Sequence, residues 1–108
     1  MKEDIKNLWV AALRSEDYKQ GKGRLRNGDE YCCLGVLCEL LNISKQNLGN
    51  NYSYDYQHVF LPIRAMRMAG MKSDDGNYRK VMSLANQNDQ GRSFKEIADI
   101  IETHWQKL

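Results

Sequence analysis

The chain has 108 residues, of which 42% are hydrophobic and 28% charged, and its formal net charge is +2. This size fits one globular domain, spanning residues 1–108, that buries a core without disulfide or metal staples. So small a net charge gives no case by itself for a DNA-binding or membrane-surface protein. No apolar run approaches the roughly 18 residues that cross a bilayer, and MKEDIKNLWV lacks the apolar core of a signal peptide, so we expect a cytoplasmic protein without a membrane partner.

A first helix is predicted over residues 3–15, because its apolar residues recur at helical spacing and form one stripe. The residues of the stripe are Ile5, Leu8, Trp9, Ala12 and Leu13. A β-hairpin is predicted next, with strands at about 23–26 and 29–32. Asn27-Gly28 suits its turn, because both central residues of a type I′ turn need positive φ.

A second helix is predicted from Cys33 to about Asn42. Gly35 within it costs about 1 kcal/mol relative to Ala, so we expect another part of the chain to pack against its backbone. Residues 42–58 are rich in Asn, Ser and Tyr and are predicted to form a long surface loop, although the alternation within 52–60 also suits a short strand.

Two further short helices are predicted at 62–69, with Gly70 as its C-cap, and at 78–86, with a turn at 72–77 between them. A capping box at Ser93–Glu96 opens a final helix. The apolar stripe of that helix is Phe94, Ile97, Ala98, Ile101 and Trp105. We therefore predict an α+β fold that is mainly α, with about four short helices packed against one small β-hairpin.

The segment from Lys19 to Gly28 concentrates basic residues on a glycine-rich backbone. Glycines let backbone N–H groups approach an anion closely, and arginine adds paired donors that suit phosphate. The segment is not a P-loop, because GxxxxGK[ST] is absent, and no GxGxxG follows a strand. The competing interpretation is a solvated hairpin with ordinary surface charge.

The three cysteines, Cys32, Cys33 and Cys38, are interpreted as thiols packed in the core. An odd number bunched in this way is a poor disulfide framework. The spacing also lacks the paired C-x₂₋₄-C of structural zinc sites. No acidic residue forms a recognisable constellation with His58 or His104, so we predict a protein that is not an enzyme and holds no metal or cofactor.

Two weaker signals lie in the C-terminal half. The EIA triplet of the final helix is typical of helix-turn-helix proteins, but no recognition helix follows it, so core packing is favoured. A second group of basic residues either flanks one cleft together with the basic residues of the hairpin or forms a separate, solvated face. Its members are Arg64, Arg67, Lys72, Arg79 and Lys80.

The segments Lys19–Gly21 and Cys32–Cys38, followed by LP, MAGM and ND-x-G-x-SFKEIADIIE, resemble a family of small proteins encoded by phages and prophages. The resemblance covers most of the chain except 42–57 and departs from the family pattern at Met68 and Gln87. It implies a protein of the host cytoplasm that acts against host machinery, either by inhibiting a host factor or by sequestering a nucleotide-derived immune signal.

Three functional hypotheses follow. The first is a non-enzymatic binder of a phosphate-bearing, nucleotide-like small molecule. The second is an inhibitor of a host protein that uses a loop bearing Tyr52, Tyr54 and Tyr56, and the third is nucleic-acid binding through the basic hairpin. A homo-oligomer is compatible with all three. The predicted ligand-binding residues are Tyr18, Lys19, Gln20, Gly21, Lys22, Gly23, Arg24, Arg26, Tyr31, Asn88 and Asp89.

Overall fold

The structure is a computed structural model that describes residues 1–108. Its helices are α1 (Glu3–Arg14), α2 (Cys33–Leu40), α3 (Ile63–Ala69), α4 (Leu84–Asp89) and α5 (Phe94–His104), followed by a 3₁₀ turn at Trp105–Lys107. Its strands are β1 (Lys19–Gln20), β2 (Arg26–Asn27), β3 (Glu30–Tyr31), β4 (Lys45–Leu48), β5 (Asn51–Tyr54), β6 (Asn77–Arg79) and β7 (Met82–Ser83). None of the helices is long and apolar enough to cross a bilayer.

Five of the strands form one mixed sheet in the order β1-β3-β2-β5-β4. β1 runs parallel to β3, and the other neighbours are antiparallel. Arg26 lies opposite Tyr31 and Asn27 lies opposite Glu30 in the β2–β3 hairpin. The predicted hairpin is therefore present, but its two-residue turn is Gly28-Asp29, one position later than expected, and it lies in the middle of the sheet.

The prediction of a mainly α fold with a single hairpin is wrong. The predicted loop at 42–58 contains the antiparallel strands β4 and β5, which complete the five-stranded sheet. The predicted helix at 78–86 is instead the β6–β7 hairpin followed by α4. Asn77 closes this hairpin, because its side-chain Nδ2 donates to the Lys80 carbonyl at 2.8 Å and Lys80 adopts a positive φ of 44°. The fold is α+β, with five helices and two sheets.

The predictions for the other helices are confirmed within a residue or two. Gly70 ends α3 in the left-handed conformation at φ 69°, and the Ser93–Glu96 capping box is present at the start of α5. One face of α1 differs from the prediction: Leu8 is exposed and Val10 is buried. Lys6 is buried as well, where its ammonium contacts Glu102 at 2.8 Å and lies over the Trp105 ring.

A single apolar core joins the helices to the sheet. α1 packs on both α5 and α2, and a second ion pair between α1 and α5 joins Arg14 to Asp99 at 2.9 Å. α2 is buried over most of its length, and a Cβ on Gly35 would clash with the carbonyl of Leu25. The expected close approach at Gly35 is thus confirmed, and it fixes the segment before β2 against α2.

Candidate functional site

The predicted ligand-binding residues do not converge on one pocket. One group, Gln20, Gly21 and Asn88, forms hydrogen bonds inside the protein. A second group lies on or near the sheet, where it contacts neighbouring side chains, and consists of Tyr18, Lys19, Arg26 and Tyr31; Lys22 is exposed apart from it. A third group, Gly23, Arg24 and Asp89, lines a cleft.

Gln20 and Asn88 are structural residues. The side-chain Nε2 of Gln20 donates to Asn88 Oδ1 at 3.0 Å and to the Arg92 carbonyl at 2.7 Å. Its Oε1 accepts at 3.1 Å from the N–H of Phe94, the first residue of α5. Asn88 is fully buried, donates to the Gly21 carbonyl and accepts from the Cys33 N–H. Neither amide is free to contact a ligand.

Arg26 is held by aromatic rings and a carboxylate. Its guanidinium lies 3.9 Å from the centroid of the Tyr52 ring and 4.8 Å from that of Tyr31. Its Nε donates to the Gly28 carbonyl at 2.8 Å, and the Glu39 carboxylate lies 3.8 Å from the guanidinium. Two rings, the Gly28 carbonyl and the Glu39 carboxylate contact this guanidinium, and Arg26 does not line the cleft, so the geometry gives no support to the predicted phosphate contact of Arg26.

The other predicted residues on or near the sheet do not line the cleft. Lys19 pairs with Glu30 at 3.5 Å. Tyr18 and Tyr31 pack edge to face with their centroids 5.2 Å apart, and neither ring lines the cleft. Lys22 is exposed and forms no ion pair, but it does not line the cleft.

The cleft that contains Arg24, here called the Arg24 cleft, has a volume of about 220 Å³. It lies between the segment before β2, the segment before α3 and the helix α4. Its lining residues are Gly23, Arg24, Cys32, Val59, Phe60, Ala85, Asn86 and Asp89. Four of these are apolar, so the cleft combines an apolar wall with one guanidinium and one carboxylate.

Arg24 is the most unusual polar group of the cleft. Its Nε is buried and has no hydrogen-bond partner in the protein. Its terminal nitrogen lies 3.2 Å from His58 Nδ1. An unpaired buried donor costs about 1–3 kcal/mol, and an acceptor on a bound ligand would remove that cost.

Asp89 lies at the other polar part of the cleft. Its Oδ1 accepts from the Gly23 N–H at 2.9 Å. The Gly21 N–H donates to the Tyr31 carbonyl at 2.7 Å. The two backbone donors that were expected to cradle an anion are therefore already used, and an anion in this cleft depends on side chains.

The cysteines pack in the core as predicted. Burial raises the pKa of the Cys32 thiol to about 11 and raises those of Cys33 and Cys38 as well. The Cys33 Sγ lies 3.6 Å from the Leu84 carbonyl. No group of three His, Cys, Asp or Glu side chains is arranged to hold a metal ion.

The predicted tyrosine loop is strand β5 at Tyr52 and Tyr54 and a turn at Tyr56, and the three rings differ in exposure. Tyr54 is fully buried and its hydroxyl donates to Glu39 at 2.6 Å. Tyr52 lies against Arg26, and Tyr56 alone of the three is strongly exposed, at 78%. The prediction that these three tyrosines form one exposed contact surface is therefore wrong.

The residues just before α3 were not predicted to belong to the site. Val59 and Phe60 form part of the cleft wall and are 42% and 44% exposed, and His58 contacts Arg24. An apolar pair that interrupts a polar segment before Leu61-Pro62 was the available signal. The second basic group does not join the cleft; Arg64 pairs with Asp55 at 3.2 Å.

A family model described as Domain of unknown function (DUF8296) matches residues 1–105. The chain belongs to the DUF8296 family. No curated protein and no solved structure matches it. The match covers all five helices and both sheets, so the Arg24 cleft lies entirely within the DUF8296 domain.

Proposed function

We propose that this DUF8296 domain is a non-enzymatic binder of a phosphate-bearing, nucleotide-derived small molecule, which it holds in the Arg24 cleft. The observation that carries the proposal is the buried Nε of Arg24, which has no partner inside the protein. Guanidinium groups bind phosphate oxygens through paired N–H donors. Because the Nε is buried in this conformation, a phosphate would bind the Nε and one terminal nitrogen together once the Arg24 side chain turns toward the cleft.

The apolar wall supports a planar group beside the phosphate. Phe60 and Val59 line the cleft and remain partly exposed. Base–aromatic stacking contributes about 1–3 kcal/mol per base. At about 220 Å³ the cleft is smaller than the roughly 300–1,000 Å³ of drug-sized sites, so a nucleotide would place one part in the cleft and leave the rest in solvent.

Binding without turnover is favoured by the lack of an activated nucleophile at the cleft. Cys32, the thiol in the lining, is buried, and its pKa is raised to about 11. Thiol nucleophiles need the thiolate form. Under this proposal the protein is of phage origin, as its sequence resemblance implies, and acts in the host cytoplasm by sequestering its ligand.

Calorimetry with cyclic dinucleotides and ADP-ribose derivatives tests the proposal. The wild-type protein should bind at least one of them, and Arg24→Ala should weaken that binding by about tenfold or more. Arg67→Ala is the matched control, because Arg67 is exposed and lies outside the cleft. The proposal fails if no ligand of this set binds, or if Arg24→Ala binds as well as Arg67→Ala does.

A host-protein inhibitor is the second candidate, favoured by exposed apolar side chains in the segment that supplies two of the cleft's lining residues. Val59 and Phe60 are joined along the chain by Tyr56 and by Ile63, which is 66% exposed. Pull-down from host lysate with wild type and with Ile63→Ser tests it, since Ile63 does not line the Arg24 cleft. Recovery of one partner that Ile63→Ser loses would favour this candidate over the ligand binder.

Nucleic-acid binding is the third candidate and has the weakest support. Lys19 and Arg26 of the basic hairpin are paired with Glu30 and Glu39. A DNA or RNA complex would show affinity that falls steeply with salt. A flat salt response would remove this candidate.

A further inference from the structure

The carboxylate of Asp89 stands in the same cleft as the Arg24 guanidinium. One oxygen, Oδ1, accepts from the Gly23 N–H at 2.9 Å and lies 3.4 Å from Asn88 Nδ2. The second oxygen, Oδ2, accepts no hydrogen bond from the protein. The bonds to Oδ1 orient the group, and the exposed carboxylate keeps acceptor capacity for a ligand.

A carboxylate is a poor neighbour for an isolated anion. A bare inorganic phosphate near Arg24 would gain from the guanidinium and lose to the negative charge of Asp89. A ligand that offers hydrogen-bond donors to Asp89 turns the same carboxylate into a favourable contact, because hydrogen bonds to charged groups are worth about 1.5–3 kcal/mol. The guanidinium and the carboxylate together therefore favour a ligand that has both an anionic group and hydrogen-bond donors.

We propose that Asp89 makes the Arg24 cleft selective for anionic ligands that carry a pair of adjacent hydrogen-bond donors. This inference rests on the proposed function and adds to it the part of the ligand that is recognised besides phosphate. A nucleotide can offer such a donor pair in two places: the cis-diol of its ribose, or the N1–H and N2–H₂ edge of a guanine base. Either pair can donate to Oδ2, which keeps both of its acceptor positions while Oδ1 is bonded to the Gly23 N–H.

Four mononucleotides separate these two sources: AMP, 2′-deoxy-AMP, GMP and 2′-deoxy-GMP, with pyrophosphate as the probe that carries no donor pair. If the ribose diol is read, AMP and GMP bind more tightly than their deoxy forms. If the guanine edge is read, GMP and 2′-deoxy-GMP bind more tightly than both adenine nucleotides. Either pattern supports the role of Asp89, and equal affinity for all four overturns it.

Asp89→Asn supplies the second test. An asparagine keeps an acceptor for the Gly23 N–H and loses the charge and one acceptor. We expect the preferred nucleotide to bind about 10- to 100-fold more weakly to this variant, while pyrophosphate binds equally well or better. Asp29→Asn is the matched control, because Asp29 is exposed in the β2–β3 turn and outside the cleft, and thermal melting of both variants reports on folding.

The outcomes distinguish the inference from the proposed function. If nucleotides bind and Arg24→Ala abolishes that binding, but Asp89→Asn weakens nucleotide and pyrophosphate binding equally or neither, the proposed function stands and selection by Asp89 is wrong. If neither the mononucleotides and pyrophosphate nor the cyclic dinucleotides and ADP-ribose derivatives bind the wild-type protein, the proposed function fails and this inference fails with it.

Discussion

The side-chain amides of Gln20 and Asn88 meet at 3.0 Å, although 68 positions separate them in the chain. Through this contact β1, the start of α2 and the α4–α5 junction share one buried hydrogen-bond cluster. Asn88 also donates to the Gly21 carbonyl, two residues before Gly23, so the cluster holds the start of the segment that carries Gly23 and Arg24. It therefore positions the cleft without contributing a group to it.

Asn88→Ala should destabilise the protein by about 3 kcal/mol. The change leaves the Gly21 carbonyl and the Cys33 N–H buried without their partner, and each such group costs about 1–3 kcal/mol. Urea denaturation measures the loss. Asn7→Ala on the exposed face of α1 is the control, and equal stability of the two variants would contradict the structural role of Asn88.

Gly35→Ala should be strongly destabilising, by about 3 kcal/mol or more. Glycine to alanine within a helix ordinarily stabilises it by up to about 1 kcal/mol, but here the added methyl meets the Leu25 carbonyl. Gly49→Ala is the control: its Cβ meets no atom within 4 Å, and only its φ of 87° opposes the change. Soluble yield and thermal melting compare the two, and a Gly35→Ala protein as stable as wild type would show that the contact is absent.

Removal of the Glu39 charge should change the dependence of stability on pH. Burial raises the pKa of Glu39, but hydrogen bonds from Tyr54 and Lys45 outweigh burial and hold the pKa below its ordinary value. A lowered pKa in the folded state gives stability that is present above the unfolded pKa and is lost as the pH falls through the folded one. Wild type should therefore lose more stability than Glu39→Gln between about pH 5 and pH 3.

Urea titrations at several pH values measure this difference. Glu3→Gln is the control, because Glu3 is exposed and forms no ion pair. A stability gap between wild type and Glu39→Gln that stays constant from pH 7 to about pH 3 would contradict the role given to the Glu39 charge.

The thiols should resist modification in the native protein. With a pKa of about 11, roughly one Cys32 thiol in a thousand is ionised at pH 8, and all three cysteines are buried. A thiol-reactive disulfide reagent should therefore label the native protein slowly and label three thiols per chain at once in denaturant. Rapid labelling of even one thiol in the native state would show that the core opens at α2.

Local signals were enough to predict most of the helices. α1 and α5 have regular apolar stripes, and α5 has a capping box, all of which act within a few residues. The same signals predicted a helix where the β6–β7 hairpin lies, because Val81, Met82 and Ala85 have helical spacing in sequence. The turn at Lys80 and the 89% exposure of Val81 depend on a side-chain bond from Asn77 that spacing does not encode.

The sheet and the cleft could not be predicted, because both depend on contacts between distant segments. β1 has two residues and finds its partner in β3, and Arg26 pairs across to Tyr52 in β5. Side chains distant in sequence also contact the predicted basic residues. Glu30 pairs with Lys19, and Glu39 and the Tyr52 ring contact Arg26. Arg24 keeps its place in the site because its neighbours in space leave one of its nitrogens without an acceptor.

The packing of α1 on α5 sets an order of events during synthesis. Lys6 and Glu102 are 96 positions apart, so the apolar face of α1 leaves the ribosome long before its main partner does. At elongation rates of about 5–20 residues per second, that face waits on the order of 5–20 s for α5. For that interval Trp9, Val10 and Leu13, which are buried in the finished protein, form an apolar surface that lacks its α5 partner and is open to non-native contacts.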